Sequence, residues 1–170
     1  GMHYVGFAEM AAAVSNAGGL GIITGLTQAS PKDLANEIAR CKDMTDKPIG
    51  VNLTFLPGFA NPDYPGYIES IVKGGVKIVE TAGRSPEKFM PLLKDAGIKV
   101  IHKCTSVRHA LKAEKIGCDA ASVGGFECGG HPGEDDIPNI NIIINGSGVS
   151  MASPADKRKI RLRLYILPSK

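Results

Sequence analysis

The residue whose type and setting best suit it to chemistry is His131, in the run Gly124–Gly125–Phe126–Glu127–Cys128–Gly129–Gly130–His131–Pro132–Gly133. An imidazole titrates near pH ~6.5 and so can take or hold a proton close to neutrality. The glycines before it tolerate positive φ and close approach to a ligand, and their N–H groups can face an anion. A lone histidine is more often structural, but a glycine-rich loop directly after a strand shifts the reading toward function. His3, His102 and His109 lack that setting and are read as structural, His102 within a strand and His109 on a helix among charges. Glu127, Cys128, His131, Glu134, Asp135 and Asp136 lie close together, yet they mix hard and soft ligands without a recognised spacing, so no metal is expected. Cys41, Cys104, Cys118 and Cys128 contain no CxxC pair and read as free thiols of a reducing compartment.

These residues need elements to position them, and the chain supplies a repeating helix-then-strand unit. Phe7 to Ala17 carries Ala and Met at helical spacing, stops at Gly18–Gly19 and is followed by the apolar run Leu20–Gly21–Ile22–Ile23–Thr24. Ser30–Pro31 is an N-cap with proline at the first helical position, and the helix through Leu34, Ile38 and Cys41 leads to Pro48–Ile49–Gly50–Val51–Asn52–Leu53. A short helix from Tyr67 to Lys73 precedes Val76–Lys77–Ile78–Val79–Glu80. The next unit starts at Ser85–Pro86–Glu87, should turn Phe89, Leu92 and Leu93 inward, and gives Lys99–Val100–Ile101–His102–Lys103. A fifth helix, with Val107, Ala110, Leu111 and Ala113 as its buried stripe, delivers Asp119–Ala120–Ala121–Ser122–Val123.

Such alternation predicts right-handed crossovers and one parallel sheet with helices outside. An open doubly wound sheet and a closed (β/α)8 barrel both satisfy it. Two features favour an α/β barrel of the TIM type, incomplete at about five to six units. No GxGxxG opens a helix after a strand, and polar or reactive residues recur where different strands end: Thr24, Asn52, Glu80, Lys103 and Gly125. Taken singly, Asn52 reads equally well as a turn former, Lys103 as a surface lysine, and Glu80 better as a solvated strand-end residue. A full barrel typically needs about 250 residues. The 170-residue chain is shorter, and Gly1–Met2 stands where a loop should follow a first strand. Residues 1–139 are taken as the partial barrel and 140–170 as an atypical segment, with a strand at 140–144 and a solvated or poorly ordered tail from Lys157 to Lys170.

Composition narrows the class further. The chain is 43% apolar and 22% charged with a formal net charge of +3, and the positive excess sits largely in Lys157, Arg158, Lys159, Arg161 and Arg163. That is an ordinary globular balance without a nucleic-acid footprint. There is no run of about 18 apolar residues and no basic-then-apolar leader, so the expectation is no membrane association and a cytoplasmic or organelle-matrix location.

Together, Gly1–Met2, the strand end Asn52–Leu53–Thr54, Lys103 in His102–Lys103–Cys104, and the Gly124-to-His131 segment resemble nitronate monooxygenases, the FMN-dependent barrel family once called 2-nitropropane dioxygenases. The resemblance runs from Gly1 to about Asn139, and the Gly-Gly-His segment is its most specific part. It implies FMN at the barrel mouth near Gly1, Met2, Asn52 and Lys103, with Gly124, Gly125, Gly129 and Gly130 counted in the same cofactor-binding set and His131 facing a nitronate or nitroalkane that reacts with O2. Barrels of this kind seat the flavin phosphate with glycine-rich loops after the last two strands. No matching loops are found here, and Gly146–Ser147–Gly148 departs from the family pattern. Two other readings stand beside this one. One is an FMN-dependent enoyl-acyl carrier protein reductase. The other is a non-catalytic barrel fragment whose open edges and apolar faces are covered by a partner or by self-association.

Overall fold

The computed structural model describes residues 1–55 and 62–124, and of the later chain the backbone of three short strands. The elements alternate as α1 (Ala8–Asn16), β1 (Gly21–Thr24), α2 (Pro31–Met44), β2 (Ile49–Phe55), α3 (Tyr64–Lys73), β3 (Ile78–Gly83), α4 (Met90–Asp95), β4 (Lys99–Cys104), α5 (Val107–Lys115) and β5 (Ala120–Val123). The strands form one sheet in the order β1-β2-β3-β4-β5, with β1–β2, β2–β3 and β4–β5 paired in parallel. Sequential order decides between the two folds left open by the sequence: a doubly wound sheet reverses direction at a switch point, whereas a barrel adds each strand beside the last. The chain is therefore part of a (β/α) barrel.

Two compact units are present, one built on Gly1–Val100 and a second that begins at Ile101. In the first, period-two alternation sorts the strand residues. Ile23, Val51, Leu53, Val79 and Thr81 are fully buried, as are Leu34, Ile68, Ile71 and Leu93 from the helices, and Ile38 is almost so. Gly21 shows how close the layers come. A β-carbon there would lie 1.8 Å from the carbonyl oxygen of Ala11 on α1, so only glycine lets this helix rest on β1. The opposite sheet face carries two transverse rows in register, Ile22–Gly50–Ile78 and, one step nearer the strand ends, Thr24–Asn52–Glu80.

Local chemistry explains the helix boundaries. Ser30 caps α2 by accepting from the Asp33 N–H at 3.2 Å, with Pro31 in the first turn as the sequence predicts. Asp63 caps α3, its carboxylate accepting from the Gly66 N–H at 3.1 Å, which starts that helix at Tyr64, ahead of Tyr67. α1 has no side-chain cap of its own; instead the buried Glu37 of α2 accepts from the Ala8 N–H at 2.7 Å. Ser15, 2% exposed, donates to the Pro48 carbonyl at 2.8 Å and accepts from the Gly21 N–H at 3.0 Å, tying α1 to the starts of β1 and β2. One expected core residue is corrected: Leu92 is 45% exposed. A 3-10 turn at Glu87–Phe89 precedes α4, and its tighter winding shifts the phase so that Met90 and Leu93 turn inward.

In the second unit Ala110 and Ala113 of α5 are buried as expected, and Ser106 caps the helix through the His109 N–H at 3.3 Å. Later in this unit β6 (Ile142–Asn145), β7 (Gly148–Met151) and β8 (Lys159–Ile160) form an antiparallel sheet in that order. The rest of the proposed 140–170 segment lies outside the described residues. Among the described residues, no helix is long and apolar enough to cross a membrane.

Candidate active site

In the first unit the site is built on the last residue of β1 and on interior residues of β2 and β3. Asn52 and Glu80, expected at strand ends, each lie three residues before the end of their strand, because β2 continues to Phe55 and β3 to Gly83. Residues in register across parallel strands share a face, so Thr24, Asn52 and Glu80 form one polar row, and Thr54 lies two residues beyond Asn52 on that face. The Asn52 amide is bound at both ends. Its Nδ2 donates to Glu80 Oε2 at 2.8 Å, and its Oδ1 accepts from the Thr54 hydroxyl at 3.0 Å. Asn52 is 2% exposed, and the Glu80 side chain only 12%.

The segment Gly1–Gly6 lies over this row. The Gly1 amino group pairs with the same Glu80 oxygen. The Met2 carbonyl accepts from the Thr24 hydroxyl at 2.9 Å and from the Val5 and Gly6 N–H groups at 3.1 and 2.8 Å. The Gly6 carbonyl then accepts from the Thr24 N–H at 2.8 Å, docking the segment on the end of β1. Glycine is needed at both ends of this turn. A β-carbon on Gly1 would lie 2.6 Å from Asn52 Cβ, and one on Gly6 would lie 2.5 Å from Thr24 Oγ1. Tyr4 takes a left-handed φ of 57°, held by its N–H to Thr27 Oγ1 at 3.0 Å, while His3 Nδ1 meets the same hydroxyl at 3.0 Å. His3 thus has a local structural partner.

Two features here had no sequence signal. Gln28, just past the end of β1, has its Nε2 buried with no hydrogen-bond partner. Its own carbonyl accepts from the Tyr67 hydroxyl at 2.7 Å; burial, then the Asp33 and Asp63 carboxylates, push that phenol above its ordinary value and keep it a neutral donor. At the ends of β2 and β3, Phe55, Tyr64 and Phe89 pack with ring centroids 4.8 to 5.5 Å apart, and the Tyr64 hydroxyl donates to the Thr54 carbonyl at 3.0 Å.

The second unit carries the candidates Lys103 and Gly124. Lys103 sits on β4 between the buried His102 and Cys104, beside Ser122 of β5 in register, and the Gly124 N–H donates to the Cys104 carbonyl at 2.9 Å. The strand ends that carry these two candidates are thereby fixed to each other. Burial, with Cys118 as a lesser influence, pushes the Cys104 thiol up to about 12, so it remains a protonated core residue. Burial likewise raises the Cys41 thiol, whose Sγ lies 3.5 Å from the Ala8 carbonyl. Gly125, Gly129, Gly130 and His131, with Cys128 and the acidic residues that follow, lie outside the described residues. Of the sequence-predicted set, the structure therefore brings together Gly1, Met2 and Asn52 in one unit, and Lys103 and Gly124 in the other.

The donor set of the first unit suits a flavin ring edge, which carries both hydrogen-bond acceptors and an N–H donor. Gln28 Nε2 has no partner, and counting Asn52's valences leaves one N–H and one carbonyl lone pair beyond its bonds to Glu80 and Thr54.

Comparison with known proteins supplies the family. The sequence model of nitronate monooxygenase matches residues 1–71 and 58–145. Over 153 residues the chain is 33% identical to a 5-hydroxy-7a-methyl-1-oxo-octahydro-1H-indene-4-carboxyl-CoA dehydrogenase of Mycobacterium tuberculosis, covering 88% of this chain and 42% of that protein. It is 30% identical over 158 residues to a probable nitronate monooxygenase of Staphylococcus aureus, covering 74% of this chain and 44% of the relative. Among solved structures, FabK from Thermotoga maritima, a TIM barrel, superposes with a TM-score of 0.70 at 38% identity, covering 79% of this chain and 42% of that one. The chain thus spans less than half the length of each of these relatives. With a sequence model spanning most of its length and the barrel's sequential parallel strands, the chain belongs to the nitronate monooxygenase family.

Proposed function

We propose that this chain carries part of the site of an FMN-dependent oxidoreductase that oxidises alkyl nitronates, such as propionate 3-nitronate, with O2. The observation that carries the reading is the glycine-bounded turn Gly1–Gly6 seated on Thr24 and Asn52, in a chain of this family. Bound FMN would supply the chemistry of accepting electrons and passing them to oxygen. In the first unit the groups that would hold its ring are the main chain at Gly1 and Met2 and the amides of Asn52 and Gln28; in the second, the charge of Lys103 would favour negative charge developing on a ligand. Gly124, Gly125, Gly129 and Gly130 would carry the backbone close to the ligand. His131 would remove the proton from the carbon that bears the nitro group of a neutral nitroalkane, and a substrate already present as nitronate does not need that step.

A reductase acting on an enoyl thioester is the second reading. It is favoured by the 38% identity to FabK and by the carboxyl-CoA substrate in the name of the mycobacterial relative. Steady-state turnover with added FMN separates the two. Oxygen consumption with propionate 3-nitronate and no nicotinamide is expected. NAD(P)H oxidation coupled to enoyl reduction, without nitronate turnover, sinks the first reading and establishes the second.

A further inference from the structure

We infer that Glu80 is a positioning residue, which with the Thr54 hydroxyl locks the Asn52 amide in a single orientation on the sheet face. An asparagine amide is ambiguous by itself, because its oxygen and nitrogen have nearly the same shape and opposite hydrogen-bonding sense. Here the neighbours remove the ambiguity. An ionised carboxylate only accepts, so the amide edge facing Glu80 Oε2 at 2.8 Å must be the NH2 group. The opposite edge must then be the carbonyl, and the Thr54 hydroxyl donates to it at 3.0 Å. Turning the amide over would set carbonyl oxygen against carboxylate oxygen in a place where Asn52 is 2% and the Glu80 side chain 12% exposed, so water is poorly placed to relieve the repulsion.

The arrangement follows from strand register and needs no loop. Glu80 and Asn52 are paired residues on β3 and β2, and Thr54 is the next residue of the same face, so three side chains on two rigid strands meet without adjustable backbone. The bond to the carboxylate is charge-assisted and so the stronger of the two. Asn52 keeps one N–H and one carbonyl lone pair whose directions are set in advance, and a ligand bound there gains by not having to order the amide. The inference rests on the flavin reading only for the identity of that ligand.

The test therefore begins without flavin. In 15N-labelled protein, the Asn52 side-chain NH2 protons should exchange slowly with water. Glu80→Ala should speed that exchange about tenfold or more, whereas Glu80→Gln, whose carbonyl can still accept, should restore most of the protection. Thr54→Val, nearly isosteric, should shift the Asn52 side-chain resonances while leaving the exchange closer to wild type. Unchanged exchange in Glu80→Ala, or equal loss in Glu80→Ala and Glu80→Gln, overturns the proposal. If Glu80→Ala does not fold, the Glu80→Gln and Thr54→Val spectra decide: an Asn52 signal identical to wild type in both means that neither group positions the amide. FMN titration then gives a second readout, in which Asn52→Ala and Glu80→Ala should be non-additive, the double variant binding no more than about twofold weaker than Asn52→Ala. Full additivity of the two losses counts against positioning. A wild-type chain that binds no FMN at all defeats the flavin reading, and the exchange measurements still decide the role of Glu80.

Discussion

Glu80 and Gln28 show what single residues conceal until they are placed. As a strand-end carboxylate Glu80 reads as solvated, yet its side chain is 12% exposed and it binds Asn52. The clue available in advance was register: once consecutive parallel strands are assumed, Thr24, Asn52 and Glu80 each follow apolar strand residues and fall in one row. Gln28 had no such clue, because its burial depends on a turn whose path no periodicity encodes. Gly21 is a sharper case. Adding one carbon there would set it 1.8 Å from the α1 backbone, a clash that no side-chain rotation relieves. Gly21→Ala should destabilise the fold by about 1–3 kcal/mol or more, seen as a lower urea midpoint with an unchanged slope. A midpoint equal to wild type would mean that α1 shifts freely over the sheet. For His131, the proposed base, His131→Asn should slow turnover of neutral nitroalkanes about 10²- to 10⁴-fold while leaving preformed nitronates much less affected. Equal losses on both substrates would point to a binding role.

At the scale of elements, the alternating pattern was largely readable because each helix carries one apolar stripe and each strand a short apolar run, and the Ser30–Pro31 start was read correctly from its capping chemistry. What escaped was tertiary. α1 begins without a cap of its own and depends on Glu37 across the interface with α2. Arg40 holds Glu37 through its Nε and a terminal nitrogen at 3.0 and 2.9 Å, and also binds Glu9 of α1, so the two helices share one ionic network. Glu37→Ala leaves the Ala8 N–H and Arg40 without this partner and should cost about 1–3 kcal/mol in denaturant unfolding. Glu9→Ala removes only an exposed partner and should shift the midpoint far less. The Arg40 hydrogen bonds hold the Glu9 carboxyl down at about 2. A carboxylate depressed in the folded state stabilises it above the unfolded value, and that contribution fades as pH falls from near 4.5 through about 2. The small midpoint difference between wild type and Glu9→Gln should therefore be present at pH 7 and shrink across that window. A difference that grows on acidification would contradict the assignment.

For the whole molecule, the chain spans less than half the length of its relatives, and its sequence offers ring-binding candidates but no loop that matches the family's phosphate-binding pattern. In (β/α)8 barrels that bind phosphate, the seat is commonly formed by loops after the seventh and eighth strands and a helix N-terminus, a different part of the barrel from the strand ends described here. Ring contacts and phosphate contacts also differ in kind. The ring is held by a few neutral hydrogen bonds and apolar packing, and the phosphate by charge-assisted bonds of about twice that strength. A site with the first and not the second should scarcely distinguish FMN from riboflavin, which share the ring and differ by the phosphate. For this 170-residue chain, fluorescence titration should give dissociation constants for the two flavins within about threefold, both nearly insensitive to salt, because little charge is neutralised on binding. A preference for FMN of about a hundredfold, about 2.8 kcal/mol at 1.4 kcal/mol per decade, and falling with salt, would place a phosphate seat within the chain. Gly146–Ser147–Gly148 would then be the first segment to mutate, since consecutive small residues allow backbone N–H groups to face an anion.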